Sequence, residues 1–364
     1  MNDAPYEPRE LTGAASLNHV VLGSIDMPEV QGWLAQDACS RGALQTLATD
    51  IGLSGLRPGH LADDLAAALS SGDPNSAQLA SATLHTFGRR LGALIATLRD
   101  PATPARQADS PYRRSFLVHW LTVDSIWLAG GLLAGPCGPR IINALNSVAS
   151  LAPHPCHVGI LQQPELAPLI GAARQANPAT VREAVAVADL GHSRIKTAVA
   201  ERHAGTLAGL RRLATYGAPT SASADEVEGA VAAALIPAVE EATASGAAHV
   251  RLVISVASFI QNGLPADDGQ GIYGSLARRT QALLHRIEVA TGVTVDLRYL
   301  HDGTAAASAS TTANSATITA GTWLGVGFLT TAGPPLLNID QRPLSAESTA
   351  DIYASAARSD GGLQ

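Results

Sequence analysis

At 364 residues, 46% hydrophobic and 15% charged, the chain is long enough for two domains with substantial cores and is composed like an ordinary soluble globular protein. A formal net charge of −7 without a clustered basic face excludes a nucleic-acid partner; Arg211-Arg212 and Arg278-Arg279 are isolated pairs. No run reaches the ~18 apolar residues of a membrane span, and the start MNDAPYEPRE lacks the basic and apolar regions of a signal peptide. Three widely spaced cysteines, Cys39, Cys137 and Cys156, fit free thiols in a reducing compartment, so a cytoplasmic protein with no membrane partner is expected.

In chain order, residues 1–15 and 343–364 are rich in Pro, Ser, Ala and Asp and read as tails. A helical pattern runs from Met27 to Leu69. A stronger helix follows, with Asp73 as N-cap, Pro74 at its first position and Leu84, Phe87, Leu91, Leu94, Ile95 and Leu98 at helical spacing. Phe116–Val123 and Ser125–Leu128 are strand-like, the second running into Gly130-Gly131. A helix at Pro139–Val148, a strand at His157–Leu161 and a helix at Glu165–Ala176 complete this half. The texture then changes to strands at Ala184–Ala188, Ile195–Ala200 and Leu207–Thr215, a helix at Ala224–Ala244 and a strand at Val250–Val256. A helix at Leu276–Thr291, a strand at Val293–Leu300, a short helix from Gly303 and two or three strands within Thr317–Ile339 finish the chain. Three strands in hairpin order followed by alternating βαβ units is the ordering of a ribonuclease-H-like α/β domain.

Turns bearing glycine or aspartate stand at strand ends, where open α/β sheets bind ligands. They are Asp189–Ser193, His301-Asp302-Gly303, Gly321-Thr322 with Gly325, and Gly130-Gly131. The hairpin turn Asp189-Leu190-Gly191-His192-Ser193 puts a carboxylate at a strand end and a glycine at a tight bend, and successive N–H groups in such a turn can form an anion-binding concavity. Plainer roles stand beside these: Asp302 as a helix cap, Asp189 and Gly191 as parts of an ordinary hairpin, Gly130-Gly131 as a helix-entry turn, Lys196 as a paired strand side chain. The trio His154, Cys156 and His157 is too tight in a Pro-rich loop to surround one ion.

Taken together, DLGHSRIKTAV, LRYLHDGTAAASA, ITAGTWLGVGF and SIWLAGG followed by IGAARQA resemble the actin-like and sugar-kinase ATPase superfamily, and within it the ROK family of sugar kinases. The resemblance implies two ribonuclease-H-like (actin-like ATPase) domains with an interdomain cleft. In that family the phosphate hairpin opens the chain; here it follows the Gly-Gly strand, so the order looks circularly permuted. Residues 1–176 would form the lobe that is C-terminal in the family, 177–183 a linker, 184–311 the first lobe, 312–342 strands returning to the second lobe, and 343–364 a tail.

The resemblance further implies an ATP-dependent kinase with Mg²⁺. Asp302 would accept the proton of the attacking hydroxyl, and Asp189 would hold the metal through water. Gly191, His192, Ser193, Lys196, Gly321, Thr322 and Gly325 would surround the phosphates, and Gly130 and Gly131 the adenosine. His19, Asn18, Asn262, His301 and Trp323 would face the acceptor. Partners reduce to a small-molecule substrate and a second copy of the chain, dimers being common in that superfamily.

Three departures qualify this. Only Cys39 remains where the family carries a zinc-binding cluster, so no structural zinc is expected. Ser16 and Asn18 replace the glutamate and glycine of the substrate motif around His19. Trp323 replaces a phosphate-loop glycine, where an indole would block ATP or stack on a base. These point to an acceptor other than a free hexose, such as a nucleoside or specialised metabolite; the competing reading is a module of the same fold, reduced in catalysis, that binds or regulates.

Overall fold

The computed structural model describes residues 15–57, 59–176, 183–203, 206–219, 223–244, 246–266, 271–331 and 339–340. The tails expected at 1–15 and 343–364 and the linker expected at 177–183 lie outside them, except for buried Ala15 and for Glu183, which begins a strand. The chain is mixed α/β and divides into two compact units, 1–167 with 312–332, and 168–311 with 333–364.

The first unit opens with a 3-10 turn at Leu17–His19, then α1 (Ala35–Cys39), α2 (Arg41–Asp50), α3 (Leu61–Leu69) and α4 (Pro74–Leu98). Helix α4 starts where its residues dictate. Asp73 accepts from the N–H groups of Asn75 and Ser76 at 3.2 and 3.1 Å, and Pro74 needs no donor at the first position. After α5 (Thr103–Gln107) and α6 (Pro111–His119) come β1 (Ser125–Ala129), α7 (Cys137–Ala149) and β2 (His157–Ile160). Helices α4 and α7 cross closely because Gly88 and Gly92 lie one turn apart: a β-carbon at either would stand 2.4 or 2.6 Å from the carbonyl oxygen of Ile141 or Leu145.

The strand expected at Phe116–Val123 is instead the end of α6 and the turn after it. Ser110 accepts from the Arg113 N–H at 3.1 Å and Pro111 takes the first helical position, so the start signal outweighs the β-propensity of the run. One turn apart, Phe116 and Trp120 bury edge-to-face at 6.2 Å, with Phe328 closing the cluster. Strands β10 (Ser315–Ala320) and β11 (Leu324–Leu329) complete a four-stranded sheet in the order β11-β10-β1-β2, parallel except for the β10–β11 hairpin.

The second unit contains α8 (Ala167–Gln175, from its second residue), β3 (Glu183–Leu190), β4 (Arg194–His203), β5 (Thr206–Gly217), α9 (Ala224–Thr243) and β6 (His249–Val256). A small hairpin of β7 (Ile260–Gln261) and β8 (Leu264–Pro265) precedes α10 (Gly271–Thr291), β9 (Thr294–His301) and α11 (Asp302–Ser308). Strand order is β12-β5-β4-β3-β6-β9; β3, β4 and β5 run antiparallel in sequence, while β6 and β9 run parallel to β3. The last strand, β12 (Ile339–Asp340), pairs with β5 rather than returning to the four-stranded sheet, which covers an edge that β5 would otherwise expose. Ala186, Ala188 and Leu190 bury one face of β3 in a core with Val231, Leu235, Leu276 and Leu283. By alternation Asp189 points to the opposite face.

Candidate functional site

The chemistry gathers on the second unit, at the carboxyl ends of β3, β6 and β9. Strand register assembles it: Asp189 stands opposite Lys196 on β4 and opposite Ser255 on β6, so the three side chains share one face. Lys196 Nζ donates to Asp189 Oδ2 at 2.9 Å, and Ser255 Oγ approaches Oδ1 at 3.4 Å. Asp189 is buried, so its charge requires these partners. The ladder between β4 and β5 is irregular beside Lys196, as is common next to functional sites.

Asp302 is the first residue of α11, directly after β9. Its Oδ1 accepts from the Gly303 N–H at 2.6 Å. Burial, then the nearby negative charge of Asp189, push its carboxyl up to about 7; the Gly303 N–H, His192 and Lys196 pull the other way. The site thus sets a carboxylate hydrogen-bonded to Lys196 near a second carboxyl, Asp302, raised to about 7.

His301 stacks on Phe259 with ring centres 5.2 Å apart and planes 4° from parallel, and its Nε2 lies 3.3 Å from Asp302 Oδ1. Burial pushes its imidazole down to about 4, so the ring is neutral at pH 7. Its place is against the Asp302 carboxyl rather than in open solvent. His192 sets its ring edge against Tyr273 at 5.3 Å, and the Tyr273 hydroxyl donates to the Leu190 carbonyl at 3.0 Å, tying down the end of β3.

Gly191 does not take a left-handed conformation, and its N–H donates to the Arg194 carbonyl at 3.0 Å, closing the hairpin. That N–H is therefore spent on the turn.

The remaining expected residues stand on other elements. Asn262, with φ 51°, and Gly263, with φ 80°, form the two-residue turn joining β7 to β8, a conformation that asparagine and glycine tolerate. On the first unit, the side chain of Asn18 exchanges two hydrogen bonds with the backbone of Leu324, accepting at 2.9 Å and donating at 3.3 Å, so its amide is spent on fixing the start of β11. His19 is exposed beside it, and Trp323 is 50% exposed. The Gly321 carbonyl accepts from the Arg41 N–H at 2.8 Å; Thr322 follows it in the turn, and Gly325 pairs with Thr319 within the ladder. Gly130, with φ 120°, is required by its own packing, since a β-carbon there would stand 2.7 Å from the Ala320 carbonyl oxygen; Gly131 faces open space.

No protein-family model matches this chain, and no curated protein does. Among solved structures it is similar to one described as "Structural Study of the Aquifex aeolicus PPX-GPPA enzyme", at 15% identity and a TM-score of 0.19, over 32% of this chain and 36% of that one. The chain thus spans about a third of that protein, and a likeness of that size assigns neither fold nor function.

Among the described residues no group of three or more His, Cys, Asp or Glu is placed to hold a metal, and burial pushes the Cys39 thiol up to about 12. No helix among them is long and apolar enough to cross a membrane. Ser255, Phe259 and Tyr273 were not singled out from sequence. The strand end carrying Ser255 was legible, but its pairing with Asp189 depends on register across 66 residues.

Proposed function

We propose that the chain is an ATP-dependent phosphotransferase whose acceptor is a hydroxyl group of a small sugar-like molecule, a nucleoside or specialised metabolite rather than a free hexose. The observation that carries this is the pairing of Asp189, bound to Lys196 at 2.9 Å, with Asp302, a carboxyl pushed up to about 7. The strand order β5-β4-β3-β6-β9 supports the same reading, being that of a ribonuclease-H-like lobe. A hairpin that opens this lobe after the strand leading into Gly130-Gly131 supports a permuted order.

Phosphoryl transfer asks the protein to align donor and acceptor and to stabilise developing negative charge. Asp302 takes the proton of the acceptor hydroxyl as that oxygen joins the γ-phosphorus and the bridging bond to ADP breaks. A base so placed contributes ~10²–10⁴ in rate. Lys196 sets a positive charge at the phosphate end of the hairpin. Asp189, with its two oxygens already approached by Lys196 and Ser255, suits a hydrated Mg²⁺ held through water, an ion that keeps several waters and needs one or two carboxylates. When bound, the ion would neutralise charge on the β- and γ-phosphate oxygens. The adenosine and acceptor roles of Gly130, Gly131, His19 and Trp323 belong to the other unit and rest on the resemblance alone.

Incubating the protein with Mg-ATP and a panel of sugars and nucleosides is expected to give acceptor-dependent ADP release, abolished in Asp302→Asn with nucleotide binding kept. Absence of both ATP binding and turnover would overturn the proposal. The exposed Trp323 favours a second reading, a module of the same fold, reduced in catalysis, that binds or regulates; ligand binding with no turnover in any condition would select it.

A further inference from the structure

His301 sits where the proposed reaction needs control of one oxygen atom. Its neutral ring carries a single proton and has two nitrogens to hold it. Nδ1 is buried with no partner among the described residues, whereas Nε2 faces Asp302 Oδ1 at 3.3 Å. Only the second nitrogen has an acceptor within reach, so the proton belongs there. The Phe259 stack fixes the plane of the ring and hence the direction of that N–H. The same Oδ1 already accepts from Gly303.

We infer that His301 is a positioning residue for Asp302: its Nε2–H and the Gly303 N–H together engage Oδ1 and leave Oδ2 as the oxygen that receives the acceptor's proton. The catalytic meaning of this contact rests on the phosphotransferase reading; the contact itself does not. The two atoms stand 3.3 Å apart, and the hydrogen bonds of catalytic groups are commonly long or poorly aligned before substrate binds.

The contact is tested without turnover by a long-range ¹H–¹⁵N spectrum of histidine-labelled protein at pH 8, with the His301 signal assigned from its absence in His301→Gln. A neutral ring protonated at Nε2 is expected; protonation at Nδ1 overturns the inference whether or not the enzyme is active. The catalytic role is tested by two variants. His301→Phe keeps a ring against Phe259 and removes the donor, and is expected to lower kcat by ~10²-fold with nucleotide Kd unchanged. His301→Gln keeps an N–H donor and is expected to recover most of that loss. Equal kcat in the two variants would overturn the positioning role. Absence of turnover in the wild type would fail the phosphotransferase reading, while the spectrum would still decide the contact.

Discussion

Gly171 in α8 and Ala305 in α11 meet backbone to backbone: a β-carbon built on Gly171 would stand 1.6 Å from the Ala305 carbonyl oxygen. Arg174, one turn further along α8, donates to the carbonyls of Ser308, Ala309 and Ser310 at 2.9, 2.6 and 3.1 Å, so it serves the end of α11 whose start carries Asp302. The seven-residue helix is therefore seated by α8 at two points.

Gly171→Ala should force these helices apart. We expect a loss of ~1–3 kcal/mol in urea denaturation and a fall in acceptor-dependent turnover larger than the loss of folded protein explains. Unchanged stability would mean that the two backbones separate without cost.

Changing the charges around Asp302 should move the pH dependence of kcat/KM in opposite directions. The proposed base must be deprotonated to act, so activity should rise through about pH 7 in the wild type. Asp189→Asn removes a charge that raises the Asp302 value and should move this limb to lower pH. Lys196→Met removes a charge that lowers it and should move the limb to higher pH. The profiles are read at saturating Mg-ATP, and movement of both limbs in one direction would contradict the assignment.

Stability should answer to the same two residues with opposite signs. Asp302 rises from 3.8 to about 7, so its contribution is full below pH 3.8 and is lost as pH climbs through 7; Asp302→Asn is expected to stabilise the protein at pH 8 by up to about 4 kcal/mol. His301 falls from 6.5 to about 4, so its contribution is full above pH 6.5 and is lost as pH drops through 4. His301→Phe should therefore flatten acid destabilisation between those limits. Thermal melts of the wild type and both variants across pH 4–8 check both signs.

Adjacent glycines on the first unit should separate cleanly. Gly130→Ala meets both an unfavourable φ and the Ala320 carbonyl and should cost ~2 kcal/mol or more. Gly131→Ala meets open space and should melt within a degree or two of the wild type. Equal melting temperatures would remove the packing explanation for Gly130.

Much of the second unit was legible because its signals are local. The hairpin flanking Asp189, the βαβ alternation after it and the helix beginning beside Asp302 follow from alternating apolar residues and turn glycines. What was misread also had local signals, outweighed by others. Ser110-Pro111 announces a helix, but the β-branched and aromatic run after it reads as a strand. Asn262-Gly263 is a strong hairpin-turn signal that was not singled out from sequence. The Ser255 approach to Asp189 and the Phe259 stack on His301 were not legible, since register and ring stacking are settled only when distant segments pack.

The partners of Asp189 differ in what it takes to bring them together. Lys196 lies seven residues away along one hairpin, while Ser255 lies 66 residues away, across α9. Loop-closure entropy grows with the length enclosed, so the ion pair is the cheaper contact to form and the hydroxyl contact the dearer. In a chain emerging from the ribosome, the charge pair can assemble before β6 and β9 have been synthesised. The buried carboxylate would then have its counter-ion in place before the sheet closes around it.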